Sequence, residues 1–173
     1  MLDDNIIVYH GTCYSFKTPD LTKSNPNKDF GKGFYLTTDR KQAIKFAKSK
    51  AKRNHRKEYY LNTYKLSNLN NLNVVKFDKA NPAWFECVSK NRTNYLPNMF
   101  KGFEVIIGKV ADDDTSAVFS VYTSNQYGKM GSKSAVDTAI KLLKPEQLKD
   151  QICIRSKKGL NKLSYIKTEV FNI

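Results

Sequence analysis

The chain has 173 residues, 40% of them hydrophobic, enough for one compact core, so a single domain spanning residues 1–173 is expected. No apolar run approaches the roughly 20 residues of a membrane span, and the polar start Met1-Leu2-Asp3-Asp4-Asn5 is no secretion signal, so a cytoplasmic protein with no membrane association is expected. Lys and Arg number 30 against 16 Asp and Glu, a net charge of +14 that gathers polyanions such as nucleic acid, although a lysine-rich surface also serves plain solubility.

In chain order, Ile6-Ile7-Val8 and its flanks predict a first strand that stops at His10-Gly11. Residues 15–28 hold Pro19, Pro26, Asn25 and Asn27 and predict a surface loop. Phe34 to Thr37 predicts a second strand. Thr38-Asp39 offers a helix cap, after which Ala43, Phe46, Ala47 and Ala51 recur at helical spacing, with Lys41, Lys45, Lys48 and Lys52 on the other side. Tyr59 to Leu66 and Val74 to Phe77 predict strands, and the stretch around Pro82 to Val88 a short helix. Glu104 to Lys109 and Ala117 to Tyr122 predict two more strands, followed by a helix over 132–143 that ends at Lys144-Pro145. Gln151 to Arg155 and Ser164 to Val170 predict the last strands. Most of these strand pairs lack a helical crossover, so the fold class is α+β with a largely antiparallel sheet. Cys13, Cys87 and Cys153 form no C-x-x-C pair and are expected to be reduced, buried thiols rather than zinc ligands.

Two segments carry chemistry. Tyr9-His10-Gly11-Thr12 presents an imidazole and main-chain polar groups together at a strand end, and Gly31-Lys32-Gly33 precedes an aromatic strand. Neither is a phosphate loop, and neither is the G-x-G-x-x-G dinucleotide fingerprint. A packed histidine and an ordinary hairpin turn are the plain alternatives.

His10-Gly11-Thr12 followed by Gly31-Lys32-Gly33-Phe34-Tyr35-Leu36-Thr37 resembles the NAD⁺ signature of the diphtheria toxin and poly-ADP-ribose polymerase group. That group places a second aromatic eleven residues after the tyrosine, and here that position is Phe46. Over nearly its full length the chain also resembles a bacterial family of unknown-function domains whose members look like ADP-ribosyltransferases. The residues carrying this second likeness are Tyr9 to Thr12, Phe30 to Tyr35, Gly108 to Asp113 and Asp150 to Cys153.

The resemblance implies an ADP-ribosyltransferase-like fold, split mostly antiparallel β-sheets with flanking helices around an NAD cleft. It implies NAD⁺ as co-substrate and no metal. Tyr35 and Phe46 would sandwich the nicotinamide, Gly11 would hold its carboxamide, His10 would bond a ribose hydroxyl, and Thr12 and Gly33 would also bind the cofactor. The group's third residue is a glutamate beginning a late strand; here Gln151 stands there, giving a His10, Tyr35, Gln151 triad. An amide orients a hydroxyl but supplies no counter-charge to an oxocarbenium-like sugar, which points away from chain elongation and toward single transfer. Asp112-Asp113-Asp114, Asp113 above all, is the candidate for a carboxylate from elsewhere, and Arg92 the candidate for the pyrophosphate.

The expected function is a mono-ADP-ribosyltransferase acting on a protein or nucleic acid, in the role of a bacterial toxin or defence effector with an antitoxin partner. The alternatives are a non-catalytic NAD⁺ or ADP-ribose-binding module, an NAD glycohydrolase, or a basic nucleic-acid-binding protein with an accidental match. Lys41, Lys45, Lys48, Lys52, Arg53 and Arg56 are the expected acceptor surface, with Tyr59, Tyr60 and Tyr64 placed to stack on unpaired bases.

Overall fold

The computed structural model describes residues 5–93, 100–111, 113–144, 146 and 148–173, without the side chains of Asp113 and Asp114. Alternation along the strands sorts them into two mostly antiparallel sheets. The strands are β1 (Ile6–Thr12), β2 (Phe34–Leu36), β3 (Glu58–Leu66), β4 (Val74–Lys76), β5 (Val105–Lys109), β6 (Asp150–Ile154) and β7 (Leu163–Asn172). The first sheet runs β1-β3-β7, the second β2-β6-β5-β4. Among the described residues only β4 and β5 pair in parallel, and they are joined through α2 (Pro82–Thr93), as a parallel pair needs a crossover.

Val8, Tyr64 and Leu66 on one sheet meet Phe34, Leu36, Val105, Ile107, Ile152 and Ile154 on the other, forming the core between them. The opposite face of the second sheet, with Ile106 and Cys153, packs on α2, α3 (Asp113–Thr123) and α4 (Lys133–Leu142) around the buried Trp84. The outer face of the first sheet is covered by α1 (Arg40–Arg53). A short α5 (Lys157–Leu160) joins β6 to β7. All three cysteines are buried and free, and burial pushes the Cys87 and Cys153 thiols up to about 12.

Helix α1 forms where its cap predicts. The Asp39 carboxylate accepts from Gln42 N at 3.1 Å, and Ala43, Ala47 and Ala51 make its buried stripe. Three alanines let the helix lie close on β1. A methyl group on Gly11 would collide with the Ala43 carbonyl oxygen, so only glycine fits there.

The expected strand over Ala117 to Tyr122 is instead the second half of α3. Thr115, Phe119 and Tyr122 are the buried positions, spaced four and three apart, a helical period that outweighs the β-prone composition. Phe119 stacks on Phe85 at 4.8 Å and Tyr122 meets its edge at 4.7 Å. No helix among the described residues is long and apolar enough to cross a membrane.

Candidate functional site

The two sheets touch through β1 and β2 at one bridge. Tyr9 N donates to Thr37 O at 2.8 Å and Thr37 N to Tyr9 O at 3.0 Å. Backbone groups alternate sides along a strand, so the N–H and C=O of Gly11 point, like those of Tyr9, away from β3. Continued pairing would set Gly11 against Tyr35. The strands part instead, and the His10 ring crosses the gap, its Nδ1 lying 2.7 Å from Tyr35 O. The result is a split in which main-chain edges of Gly11 and Tyr35 face each other beside an imidazole.

His10 stacks on Phe34 at 4.4 Å and 25°, with Phe16 at 5.5 Å. Burial, opposed by the bond to Tyr35 and reinforced by the charges of Lys50 and Lys28, lowers its pKa to about 4. The ring is therefore neutral at pH 7. A carbonyl oxygen only accepts, so the proton sits on Nδ1, and Nε2 offers a lone pair that no described residue uses. An unfolded histidine protonates near 6.5. The unfolded chain thus binds more protons between about 6.5 and 4, and native stability falls as pH drops through that window. His10→Asn is expected to flatten that fall in urea unfolding at pH 7.5 and pH 5; an unchanged slope would refute the buried neutral state.

Tyr35 turns back on its own hairpin. Its hydroxyl donates to Gly31 O at 2.7 Å and accepts from Phe30 N at 3.0 Å, and burial raises its pKa well above the usual tyrosine value. Lys28 Nζ lies over the ring, 4.8 Å from its centre, a neighbour the sequence did not suggest. Burial and the like charge of Lys50 lower the Lys28 pKa. Gly33 is tied to Ser24 in both directions, through N at 3.0 Å and O at 2.7 Å, and a side chain there would strike Cys153 Sγ. Thr12 is buried and accepts from Tyr14 N at 3.2 Å.

Phe46 is 47% exposed and so no core residue. At 100° per residue it shares a flank of α1 with Gln42 and Lys50. Gln42 Oε1 accepts from Thr37 Oγ1 at 2.7 Å, at the bridge itself. Phe46 therefore stands on the flank of α1 that borders the split.

Behind the split lies a buried polar hub. The Asp29 carboxylate accepts from Arg92 Nε at 2.9 Å and Nη2 at 2.8 Å, from Ala111 N at 2.8 Å and from Gln151 Nε2 at 2.8 Å. Gln151 Nε2 also donates to Lys109 O at 3.2 Å. Gln151 lies on the same face of the sheet as Cys153 and Tyr35, which pair directly across β6 and β2. Arg92 adds a bond to Ala111 O and lies 5.0 Å over Phe119. Its Nε and Nη2 brace Asp29, and Nη1 donates to Ser116 Oγ at 3.4 Å. Asp112 and the side chains of Asp113 and Asp114 lie outside the described residues; the backbone of Asp113 starts α3.

Two cavities, of about 390 and 570 Å³, lie elsewhere, one beside Lys32, Lys101 and Arg155, the other beside Lys17, Tyr64 and Tyr165. Neither is lined by His10, Gly11 or Tyr35. No group of three or more His, Cys, Asp or Glu among the described residues is placed to hold a metal ion.

Over residues 6–165 the chain matches the model of a family described as a protein of unknown function (DUF3990), and it belongs to that family. No curated protein matches it, and neither does any solved structure.

Proposed function

We propose that this protein binds NAD⁺ at the split between β1 and β2, breaks the nicotinamide–ribose bond and transfers a single ADP-ribose to an acceptor, on an ADP-ribosyltransferase-like fold. The observation that carries this reading is the neutral His10, anchored on Tyr35 O with Nε2 left as an acceptor, beside a main-chain edge of Gly11 that no described residue pairs. Nicotinamide carries a primary carboxamide, whose N–H and C=O match the C=O and N–H of one residue on an open strand edge. The ribose 2-hydroxyl is a donor suited to a lone pair on Nε2.

Phe46 at the rim and the Tyr35 ring supply the apolar faces for the nicotinamide. The Lys28 ammonium disfavours the cationic pyridinium of bound NAD⁺ relative to the neutral nicotinamide that departs. Gln151 Oε1, which no described residue uses, is the acceptor for a second ribose hydroxyl. One observation favours a second reading, a module that binds NAD⁺ without turnover: the charge of Asp29 is spent on Arg92 and does not reach the split.

Calorimetric titration with NAD⁺ and chromatographic measurement of nicotinamide separate the two. Binding and release are expected for the wild type, with His10→Ala lowering release by about a hundredfold or more, as loss of a preorganised polar contact does. Binding without release selects the module, and absence of binding defeats both.

A further inference from the structure

The tyrosines expected to stack on bases do not serve. Tyr59 is buried and stacked on Phe171 at 5.1 Å, Tyr64 is buried in the core, and the Tyr60 hydroxyl is held by Glu58 Oε2 at 2.7 Å. Apart from Phe46 at the split, the exposed aromatic side chains include Tyr14, 47% exposed, beside the basic end of α1. Arg56 lies over its ring, 5.1 Å from the centre, and Lys50 over it at 5.9 Å, cations that a stacking base displaces toward its own phosphates. Tyr14 is four residues from His10, and Lys50 shares the flank of α1 that carries Phe46.

From residue 40 to residue 57 the chain has nine Lys and Arg and no Asp or Glu. Helical geometry sets Lys41, Lys45, Lys48 and Lys52 on the outward side of α1. A nucleic acid joins every flat base directly to flanking phosphates, which matches an exposed ring with two cations beside it more closely than an acidic peptide does. Duplex bases are already stacked on one another and offer no free face.

We propose that single-stranded nucleic acid is the acceptor, one base stacked on Tyr14 and the neighbouring phosphates held by Lys50 and Arg56. The transfer itself rests on the NAD⁺ reading above. The C1′–nitrogen bond to nicotinamide breaks and its electron pair leaves with neutral nicotinamide. A base nitrogen or a sugar or terminal phosphate oxygen gives its own pair to C1′, and any proton it carried passes to water.

The test uses the full chain and dye-labelled 12-residue oligonucleotides, single-stranded RNA, single-stranded DNA and the DNA duplex, followed by anisotropy. Single strands are expected to bind more tightly than the duplex, and the RNA and DNA arms decide the sugar. Tyr14→Ala is expected to weaken binding about five- to a hundredfold, and Arg56→Ala to reduce the salt slope by about 0.7, both without a change in thermal unfolding. With radiolabelled NAD⁺, label is expected on the oligonucleotide, removed by nuclease and diminished in Tyr14→Ala, while nicotinamide release into water alone stays unchanged. Binding indifferent to Tyr14→Ala, or label that survives nuclease and is lost to protease, overturns the inference and leaves the transferase reading standing. Oligonucleotide binding with no nicotinamide release overturns the acceptor role through the transferase reading itself.

Discussion

Asp29→Ala is expected to lower stability by about 3–5 kcal/mol in guanidinium unfolding, the effect of removing one partner from a buried ion pair. For a chain of this size that corresponds to a fall in Tm of roughly 6–20 °C. The carboxylate satisfies four donors at once, from Arg92 on α2, Ala111 before α3 and Gln151 on β6. Its loss leaves the Ala111 N–H without its acceptor, the Arg92 guanidinium without its counter-charge, and the Gln151 amide with only Lys109 O. Arg92→Ala is expected to cost about the same, because it leaves the carboxylate as the uncompensated charge. The double variant should then be less destabilised than the sum of the two. Strict additivity, or a loss under about 1 kcal/mol for Asp29→Ala, would show that the hub does not hold these elements together.

This hub also shows where the sequence stops being readable. The strands at Ile6 to Tyr9, Tyr59 to Leu66 and Gln151 to Arg155 follow from local alternation, and α1 from its cap and alanine stripe, because each signal lies within one element. The parallel β4–β5 pair follows from the same rule that makes the other pairs antiparallel, since α2 is the crossover. The α3 segment was legible too, but Thr115, Phe119 and Tyr122 had to be counted by period rather than by their β-prone neighbours. Asp29 was not legible. It meets Arg92, Ala111 and Gln151, which lie 63, 82 and 122 residues further on, and nothing near it in sequence marks a buried carboxylate. Likewise the Tyr35 motif suggests an aromatic face, while Lys28 over that face and the hydroxyl bonds back to Phe30 and Gly31 follow only from the hairpin's turn. Tyr14 stood outside every motif, and its exposure between Lys50 and Arg56 depends on where α1 ends.

Gln151→Glu tests the site and the hub together. On family resemblance alone, a glutamate at this position would complete the triad and raise turnover. The geometry leads to the opposite expectation. Gln151 Nε2 is a donor to two acceptors, Asp29 Oδ2 and Lys109 O, and an ionised carboxylate would set oxygen against both. The new side chain remains acceptable only while it keeps a proton to donate, so its pKa in the folded protein rises, on the order of 2–3 units for like charges in contact. Above the unfolded value of about 4.3 the folded state then binds more protons than the unfolded one, and stability falls as pH rises. The variant should be close to wild type at pH 4.5 and less stable by about 3–4 kcal/mol at pH 8, read by urea unfolding at both values. Nicotinamide release at neutral pH should not increase, because the group is either neutral or displaced. A Gln151→Glu protein that is stable at pH 8 and turns NAD⁺ over faster would mean that the bonds to Asp29 and Lys109 are not what hold the residue 151 side chain in place.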